Sequence, residues 1–169
     1  MEEMIDIVDD ELNILYQTSK AEAHKKGLLH KCVIGEVINS KGEIMLIKPY
    51  SHKQDAGQFV SPMGGHVVAG ESSEEALRRE VMEELGISKF EYKFKGRGIF
   101  NRYVLGRHEN HYFLLYEAFT DAEPVLGDEA ESFERFTIQE LKNRLKANRK
   151  EFGEAYLFIV RKFYPELLI

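Results

Sequence analysis

A glycine loop that runs directly into a carboxylate-rich segment constrains this chain more than any other feature. Residues 65–87 fit the pattern G-x5-E-x7-R-E-U-x-E-E-x-G-U, where U is an apolar residue, at every specified position. Ser72 or Ser73 is a suitable helix N-cap, and Gly86 is typical of a residue that ends a helix. The spacing therefore predicts a glycine loop followed by a helix that ends near Leu85.

Acidic side chains recur along one side of this predicted helix. At about 100° per residue, Glu80, Glu83 and Glu84 share that side, beside an apolar stripe that is expected to dock on a sheet. Such a cluster of oxygen ligands suits Mg²⁺ or Mn²⁺. Arg79 lies four residues before Glu83 and is expected to orient and partly neutralise it. The pattern thus predicts a cation site on the helix.

The residues around the acidic cluster have separate expected tasks. Gly64 and Gly65 permit a close approach of the backbone to a metal or phosphate. Glu71, near the helix start, gains from the helix dipole and is expected to hold the loop against the helix. Glu74 and Glu75 are interpreted as part of a solvated face.

The remaining apolar and turn-forming residues predict strands interleaved with helices. Strands are expected at about 4–8, 12–16, 32–38, 43–47, 92–100, 111–119 and 133–136. Helices are expected at about 18–26, 72–85, 138–147 and 154–163, and residues 62–65 form the strongest predicted break. This order predicts an α/β (α+β) fold, a layered sandwich around a mixed sheet, in one domain over residues 1–169. Its N-terminal strands and short helix occupy residues 1–28, and its C-terminal helices occupy 138–169.

Composition excludes several classes of function. The formal charge of −6 argues against broad electrostatic binding to a nucleic-acid polymer. It leaves a small phosphorylated substrate open, because bridging cations reverse the local charge. The first residues lack the pattern of a signal peptide, and no apolar run suggests a membrane span, so a cytoplasmic protein with no membrane partner is predicted. Cys32 is the single cysteine, which excludes an internal disulfide and a cysteine metal cluster.

Residues 65–87 resemble the Nudix box, and residues 21–136 more broadly resemble the isopentenyl-diphosphate-isomerase-like branch of that superfamily. The resemblance implies a Nudix-type α/β/α sandwich and a Mg²⁺- or Mn²⁺-dependent hydrolase. Its substrate would be a small molecule, a nucleoside diphosphate derivative or a related diphosphate, attacked by water at phosphorus. The implied metal ligands are the Gly64 carbonyl, Glu80, Glu83 and Glu84. Glu80 is the candidate to activate or orient the water, although some relatives use an acid from a later loop.

Other positions match the same branch less specifically. Lys48 and Lys53 fall where basic residues contact diphosphate, with ordinary surface lysines as the alternative. His66 follows the glycines and is a candidate substrate contact together with Gly65. His30 matches a histidine ligand of the isomerases, with a packed strand-end histidine as the alternative.

Two acidic positions downstream also carry the resemblance. Glu109 begins a Glu-Asn-His segment where the isomerases place a metal-binding Glu-x-Glu, so Glu109 is a candidate ligand or base, whereas His111 replaces the second acid. Asp128 and Glu129 resemble an acidic pair of this branch, with a capping or surface role as the alternative.

Two other functions are weighed against hydrolysis. An isopentenyl-diphosphate isomerase would need a cysteine before Gly65, where this chain has Gly64, and the usual tryptophan of that loop is replaced by Phe59. A catalytically silent diphosphate-binding module is disfavoured because every acid of the box is present. The aromatic residues near the last predicted helix are expected to pack in the core. The alternative is that they form an interaction surface, for example in a homodimer. These residues are Phe152, Tyr156, Phe158 and Phe163.

Overall fold

A mixed sheet of eight strands forms the centre of the structure, a computed structural model that describes residues 2–169. Within these residues the strands are β1 Met4–Val8, β2 Ile14–Ser19, β3 His30–Ile38, β4 Ile44–Pro49, β5 Met63–His66, β6 Glu91–Val104, β7 Arg107–Phe119 and β8 Ala130–Phe136. The α-helices are α1 Lys20–Lys26, α2 Ser73–Leu85, α3 Ile138–Ala147 and α4 Glu154–Phe163. Short 3₁₀ helices occupy Arg149–Glu151 and Pro165–Leu168.

Strand β3 organises the sheet because both of its edges are paired. Along one edge it meets β7 in parallel, from the His30–His111 pair to the Ile38–Phe119 pair. Along the other edge it pairs antiparallel with β1, then β5, then β4. Strand β5 is therefore aligned beside the middle of β3, and the glycines that it carries are fixed in register.

The two faces of β3 and β7 pack against different helices because successive side chains of a strand point to opposite faces. Val33 and Leu114 pack in one core cluster with residues of α2, among them Leu77 and Val81. The neighbouring residues of the two strands pack on the opposite face with Ile159 of α4; they are Cys32, Ile34, Phe113 and Leu115. The sheet consequently lies between α2 and the C-terminal helices, which confirms the predicted α/β sandwich around a mixed sheet.

Helix α2 begins and ends at residues whose side chains and backbone satisfy its terminal hydrogen-bonding groups. The Ser72 hydroxyl accepts from the Glu75 N–H, and the Ser72 N–H donates to the Glu75 carboxylate, a capping box. Gly86 ends the helix with φ 65° and donates its N–H to the Met82 carbonyl. Both boundaries match the sequence prediction, and Ser72 is the cap.

Most other elements are also close to their predicted positions, with three differences. Strand β2 starts at Ile14 and runs to Ser19, so α1 is shorter than the predicted 18–26. Strand β5 was missed because its Gly64–Gly65 pair predicts a break. The β6–β7 hairpin extends through residues 101–110, beyond the apolar runs that predicted it.

The C-terminal aromatic side chains pack inside the molecule. Phe152 and Tyr156 are fully buried against β4 and β8 residues, and Phe158 and Phe163 pack against the β3–β7 face. This placement favours core packing for these aromatic residues. Among residues 2–169, no helix has both the length and the apolar character that crossing a membrane requires.

Candidate active site

Gly65 of β5 lies against the Glu80 side chain of α2. A Cβ atom added at Gly65 would overlap the Glu80 carboxylate, so only glycine leaves room for this side chain. Glu80 is 6% exposed, and burial raises its pKa to about 7, with Arg79 opposing that shift. A carboxylate held this deep gains from a cation nearby, because burial disfavours its charged form.

Arg79 holds the site together through its whole guanidinium group. Its Nε donates to Glu71 Oε1 at 2.9 Å, and its Nη1 donates to Glu80 Oε1 at 2.6 Å. Its Nη2 donates to the His66 carbonyl at 2.9 Å. Glu71 also accepts from the Val68 N–H at 2.9 Å, so Glu71 connects the loop to Arg79 of the helix. Burial opposes the ionisation of Glu71, but these hydrogen bonds lower its pKa.

The remaining acids of α2 differ in exposure. Glu83 has a 57% exposed side chain and lies 3.6 Å from Arg79 Nη1. Glu84 is half-buried, and its pKa is raised by burial and next by the carboxylate of Glu129. Glu129 comes from the segment before β8, so two acidic side chains from distant parts of the chain meet here. Two adjacent carboxyl groups are stabilised by a shared cation or a shared proton.

A cavity of about 520 Å³ opens beside these acids. Gly64, Gly65 and Glu84 contribute to one part of its wall, and Lys53, Arg102 and Arg107 contribute to another. This volume is typical of small-molecule sites. The wall therefore combines oxygen atoms that could hold a cation with basic groups that could bind an anion.

Glu109 lies on the cavity wall but is already paired. It is 4% exposed, and Arg102 Nε donates to its Oε1 at 2.9 Å. Arg107 Nη2 lies 2.7 Å from its Oε2. Both carboxylate oxygens are thus occupied by arginine, which separates Glu109 from the acids of α2.

Lys48 and Lys53 have different surroundings. Lys53 is exposed on the cavity wall. The ammonium group of Lys48 lies 4.5 Å from the centroid of the Phe59 ring. Lys48 is absent from the cavity lining formed by the described residues.

Four histidine side chains converge near the cavity, and two of them, His66 and His111, contribute to its wall. We name them the histidine cluster: His24 of α1, His30 of β3, His66 of β5 and His111 of β7. One ring nitrogen of each lies within 4.8 Å of those of the others. Burial is the largest cause that lowers the pKa of every member, and it lowers that of His24 to about 4. Neutral imidazoles have a free lone pair and are ordinary metal ligands.

The cluster and Glu129 are the parts of the site that sequence reasoning did not assemble. His24 was not singled out, and His66 was interpreted as a substrate contact, yet its Nε2 lies 3.2 Å from His24 Nε2. A correct prediction of the parallel pairing of β3 with β7 would have placed His30 opposite His111. The local sequence around either histidine does not predict this pairing.

Comparison with known proteins identifies the family of this arrangement. The model of the NUDIX domain family matches residues 28–156. The chain is 29% identical over 164 residues to an isopentenyl-diphosphate Delta-isomerase of Serratia proteamaculans, covering 95% of this chain and 91% of that protein. It is 34% identical over 104 residues to an uncharacterized Nudix hydrolase of Streptomyces coelicolor, covering 55% of each.

Solved structures show the same fold. A crystal structure of a protein from Deinococcus radiodurans matches with a TM-score of 0.75 at 21% identity, covering 96% of this chain and 99% of that one. At this identity the likeness concerns the fold alone.

Proposed function

The chain belongs to the NUDIX domain family, and from this premise we propose that it is a metal-dependent hydrolase of small diphosphates. The proposed substrate is a nucleoside diphosphate derivative or a related molecule, and the proposed reaction is attack of water at phosphorus. The observation that carries this proposal is the Glu80 carboxylate, which lies against Gly65 and is held by Arg79. It stands beside a cavity that also has basic groups in its wall.

The residues present fit a Mg²⁺ or Mn²⁺ ion. Glu80, Glu83, Glu84 and the Gly64 carbonyl offer hard oxygen donors. Burial raises the pKa values of Glu80 and Glu84, so a bound cation would stabilise their charged forms. A bound cation would polarise the phosphoryl oxygens and acidify the attacking water. Glu129 is a further candidate donor because it lies beside Glu84.

Other side chains of the site have proposed roles as base, positioning residue and phosphate ligands. Glu80 is the proposed base, because Arg79 fixes one of its oxygens at 2.6 Å and leaves the other free to accept a proton. Arg79 is a positioning residue, since Glu71 and the His66 carbonyl hold its guanidinium group. Lys53 and Arg107 are proposed to bind the phosphates, because both lie on the cavity wall, Lys53 is exposed, and the Arg107 side chain is 42% exposed.

An isomerase acting on isopentenyl diphosphate is the second candidate. It is favoured by the similarity to the Serratia proteamaculans protein over 95% of this chain. It is disfavoured by Gly64 at the position of the family's cysteine. Cys32 lies on the cavity wall, but it is 3% exposed, and burial raises the pKa of its thiol well above the usual value.

Incubation of the purified protein with a substrate panel distinguishes the two candidates. The panel contains nucleoside diphosphates and triphosphates, nucleotide sugars and isopentenyl diphosphate, each with Mg²⁺ or Mn²⁺. We expect cleavage of the diphosphate linkage in a nucleoside diphosphate derivative, which releases phosphate, pyrophosphate or a phosphorylated leaving group, and no cleavage without a divalent cation. Double-bond migration in isopentenyl diphosphate, with no diphosphate linkage cleaved in any compound, would overturn the hydrolase proposal.

A further inference from the structure

The connection between β7 and β8 docks on the last turn of α2, next to the acids of the candidate site. We name residues 125–129 of this connection the docking segment; it begins with Val125 and ends with Glu129. We propose that Gly127 is a positioning residue that holds the Glu129 carboxylate beside Glu84, where the two acids bind one divalent cation together. The inference rests on the metal site of the proposed function, and it assigns a task to a residue outside the 65–87 pattern.

Two backbone hydrogen bonds fix the docking segment to the end of α2. The Val125 N–H donates to the Leu85 carbonyl at 2.8 Å, and the Gly127 N–H donates to the Glu84 carbonyl at 3.0 Å. The last carbonyls of a helix have no partner within the helix, so these bonds satisfy groups that would otherwise need water or a side chain. Leu126, between the two donors, packs against the core cluster that includes Leu85. The segment is thus bound to the backbone of the helix that carries the acids.

Only glycine fits the observed separation between Gly127 and the helix. A Cβ atom added at this position would lie 2.5 Å from the Glu83 carbonyl oxygen and 3.6 Å from the Glu84 Cα atom. Both are backbone atoms of α2, so they cannot rotate away as the end of a flexible side chain can. A larger residue would therefore separate the docking segment from the helix at the level of two site acids.

The other end of the docking segment is fixed by the end of β4 and the residue that follows it. The Tyr50 N–H donates to the Glu129 carbonyl at 3.2 Å. Ala130, the first residue of β8, pairs with Pro49 at the end of β4. The backbone of Glu129 is consequently fixed on both sides, by Gly127 two residues earlier and by the sheet one residue later. Because Glu129 is exposed, this backbone placement and not core packing determines where its carboxylate lies.

The carboxylate placed in this way lies close to the acids of α2. Burial is the largest cause that raises the pKa of Glu84, to about 8, and the adjacent Glu129 is the next. Glu129 also contributes to the raised pKa of Glu80. Glu84 and Glu129 both line the cavity, as does Gly64. A divalent cation here would thus receive oxygen ligands from separate segments of the chain, and Mg²⁺ prefers an octahedral shell of oxygen ligands.

Gly127 has no direct part in this site. It is not among the described residues that line the cavity, so a change at this position reaches the cation only through its neighbours. Two roles are compatible with that position, and they differ in what they predict. A purely structural role would lower the stability of the fold and leave the affinity for the cation unchanged. A positioning role would lower the affinity, and only as long as Glu129 has a carboxylate to place.

Mn²⁺ binding in the absence of substrate measures this affinity. After treatment with a chelator, untagged protein is titrated with Mn²⁺, and electron paramagnetic resonance follows the free ion. The Glu80→Gln/Glu84→Gln variant identifies the binding that belongs to the carboxylates, because it lacks two of them. Gly127→Ala is expected to weaken that binding by about 10–100-fold, the usual effect of disturbing a residue that orients a metal ligand, and Glu129→Gln at least as much.

The double variant Gly127→Ala/Glu129→Gln separates the two roles. If Gly127 acts through Glu129, the double variant should bind Mn²⁺ no more weakly than Glu129→Gln alone, because coupled residues have non-additive effects. Gly42→Ala, between β3 and β4, is the matched control: Gly42 has φ 78°, and a Cβ atom added there meets no atom within 4 Å. This variant should lose stability in urea, because alanine is strained at that φ, and should keep the wild-type affinity for Mn²⁺.

Two results would overturn the proposal. One is wild-type Mn²⁺ affinity in Glu129→Gln, which decides even if Gly127→Ala fails to fold. The other is a double variant in which the losses of affinity from the two substitutions multiply, because Gly127 would then act independently of Glu129. Both are binding measurements without substrate, so they are separate from the substrate panel. A protein that binds Mn²⁺ as described but cleaves no diphosphate would refute the hydrolase proposal and leave the positioning role of Gly127 standing.

Discussion

Single residues connect the carboxylates of the candidate site to the backbone around them. The guanidinium group of Arg79 contacts a loop carboxylate, a helix carboxylate and a strand carbonyl at once, those of Glu71, Glu80 and His66. A lysine could not form this set, because only guanidinium offers several donors in a fixed plane. The position of Glu80 therefore depends on an arginine at residue 79 and on the missing side chain of Gly65.

Glu80→Gln tests the role of that carboxylate. We expect hydrolysis to fall by about 10²–10⁴-fold, the usual contribution of a general base. The fold should persist, because glutamine has nearly the same shape. Phosphate release and circular dichroism measure the two effects. Glu74→Gln, on the exposed side of α2, is the control and should retain activity. Equal activity in both variants would contradict the assignment.

The residues of the site differ in how far their sequence predicts them. Glu80, Glu83 and Glu84 follow from helical spacing, because a helix fixes which side chains share a side. The histidine cluster does not follow from any local pattern, since its members come from four elements that meet only through the pairing of β3. Glu129 was interpreted as part of an acidic pair of the branch, with a surface or capping role as the alternative. Its position beside Glu84 was not predicted, because the two residues are distant in sequence.

Among the elements, α2 has boundaries that local chemistry determines almost completely. Ser72 with Glu75 caps its start, and Gly86 ends it, so sequence alone predicted its extent. Strand β5 is the opposite case: Gly64 and Gly65 have low strand propensity, and only pairing with β3 makes them a strand. The far end of the β6–β7 hairpin was missed for the same reason, because its polar residues Asn101 and Asn110 are held by pairing and not by an apolar pattern.

Ser72→Ala tests the cap of α2. The variant loses the hydroxyl that accepts from the Glu75 N–H at 3.1 Å. We expect the free energy of unfolding to fall by about 1 kcal/mol, typical of an N-cap loss. Urea denaturation measures it. Ser88→Ala, an exposed serine just beyond the helix, should change the value by less than about 0.5 kcal/mol. No difference between the two variants would show that the cap does not stabilise the helix.

Besides the acids of α2, the protein has buried glutamates on the face of the sheet that packs against α4. Glu36 is 2% exposed, accepts from the Ser61 hydroxyl at 3.0 Å, and has one oxygen without a partner. Its neighbour in the parallel register is Glu117, which accepts from the Tyr164 hydroxyl at 2.8 Å. Burial raises the pKa of Glu36 to about 8, with the Ser61 hydrogen bond opposing the shift and Glu117 adding to it.

This shift predicts a pH dependence of stability with a definite sign. In the unfolded chain Glu36 ionises near its ordinary value of 4.5, whereas in the folded protein it keeps its proton to about pH 8. Between these values the folded state binds more protons, so the free energy of unfolding falls as pH rises. Glu36→Gln mimics the protonated acid and should remove this contribution, which makes the variant more stable than the wild type at pH 8 and similar at pH 5.

Urea denaturation at pH 5, 6.5 and 8 measures this effect. Glu131→Gln, an exposed glutamate of β8, is the control and should keep the wild-type slope. If Glu36→Gln has the same pH slope as the wild type, Glu36 does not retain its proton in the folded protein.

The fate of solvent oxygen tests the central claim most directly. Reaction of the best substrate of the panel with Mg²⁺ in H₂¹⁸O, followed by mass spectrometry of the products, shows whether water attacks phosphorus. We predict ¹⁸O in a phosphoryl group of the products, and formation of labelled product that is slower by about 10²–10⁴-fold after Glu80→Gln. Products without ¹⁸O on phosphorus, or turnover confined to unlabelled isomerisation of isopentenyl diphosphate, would contradict the assignment of this chain as a diphosphate hydrolase.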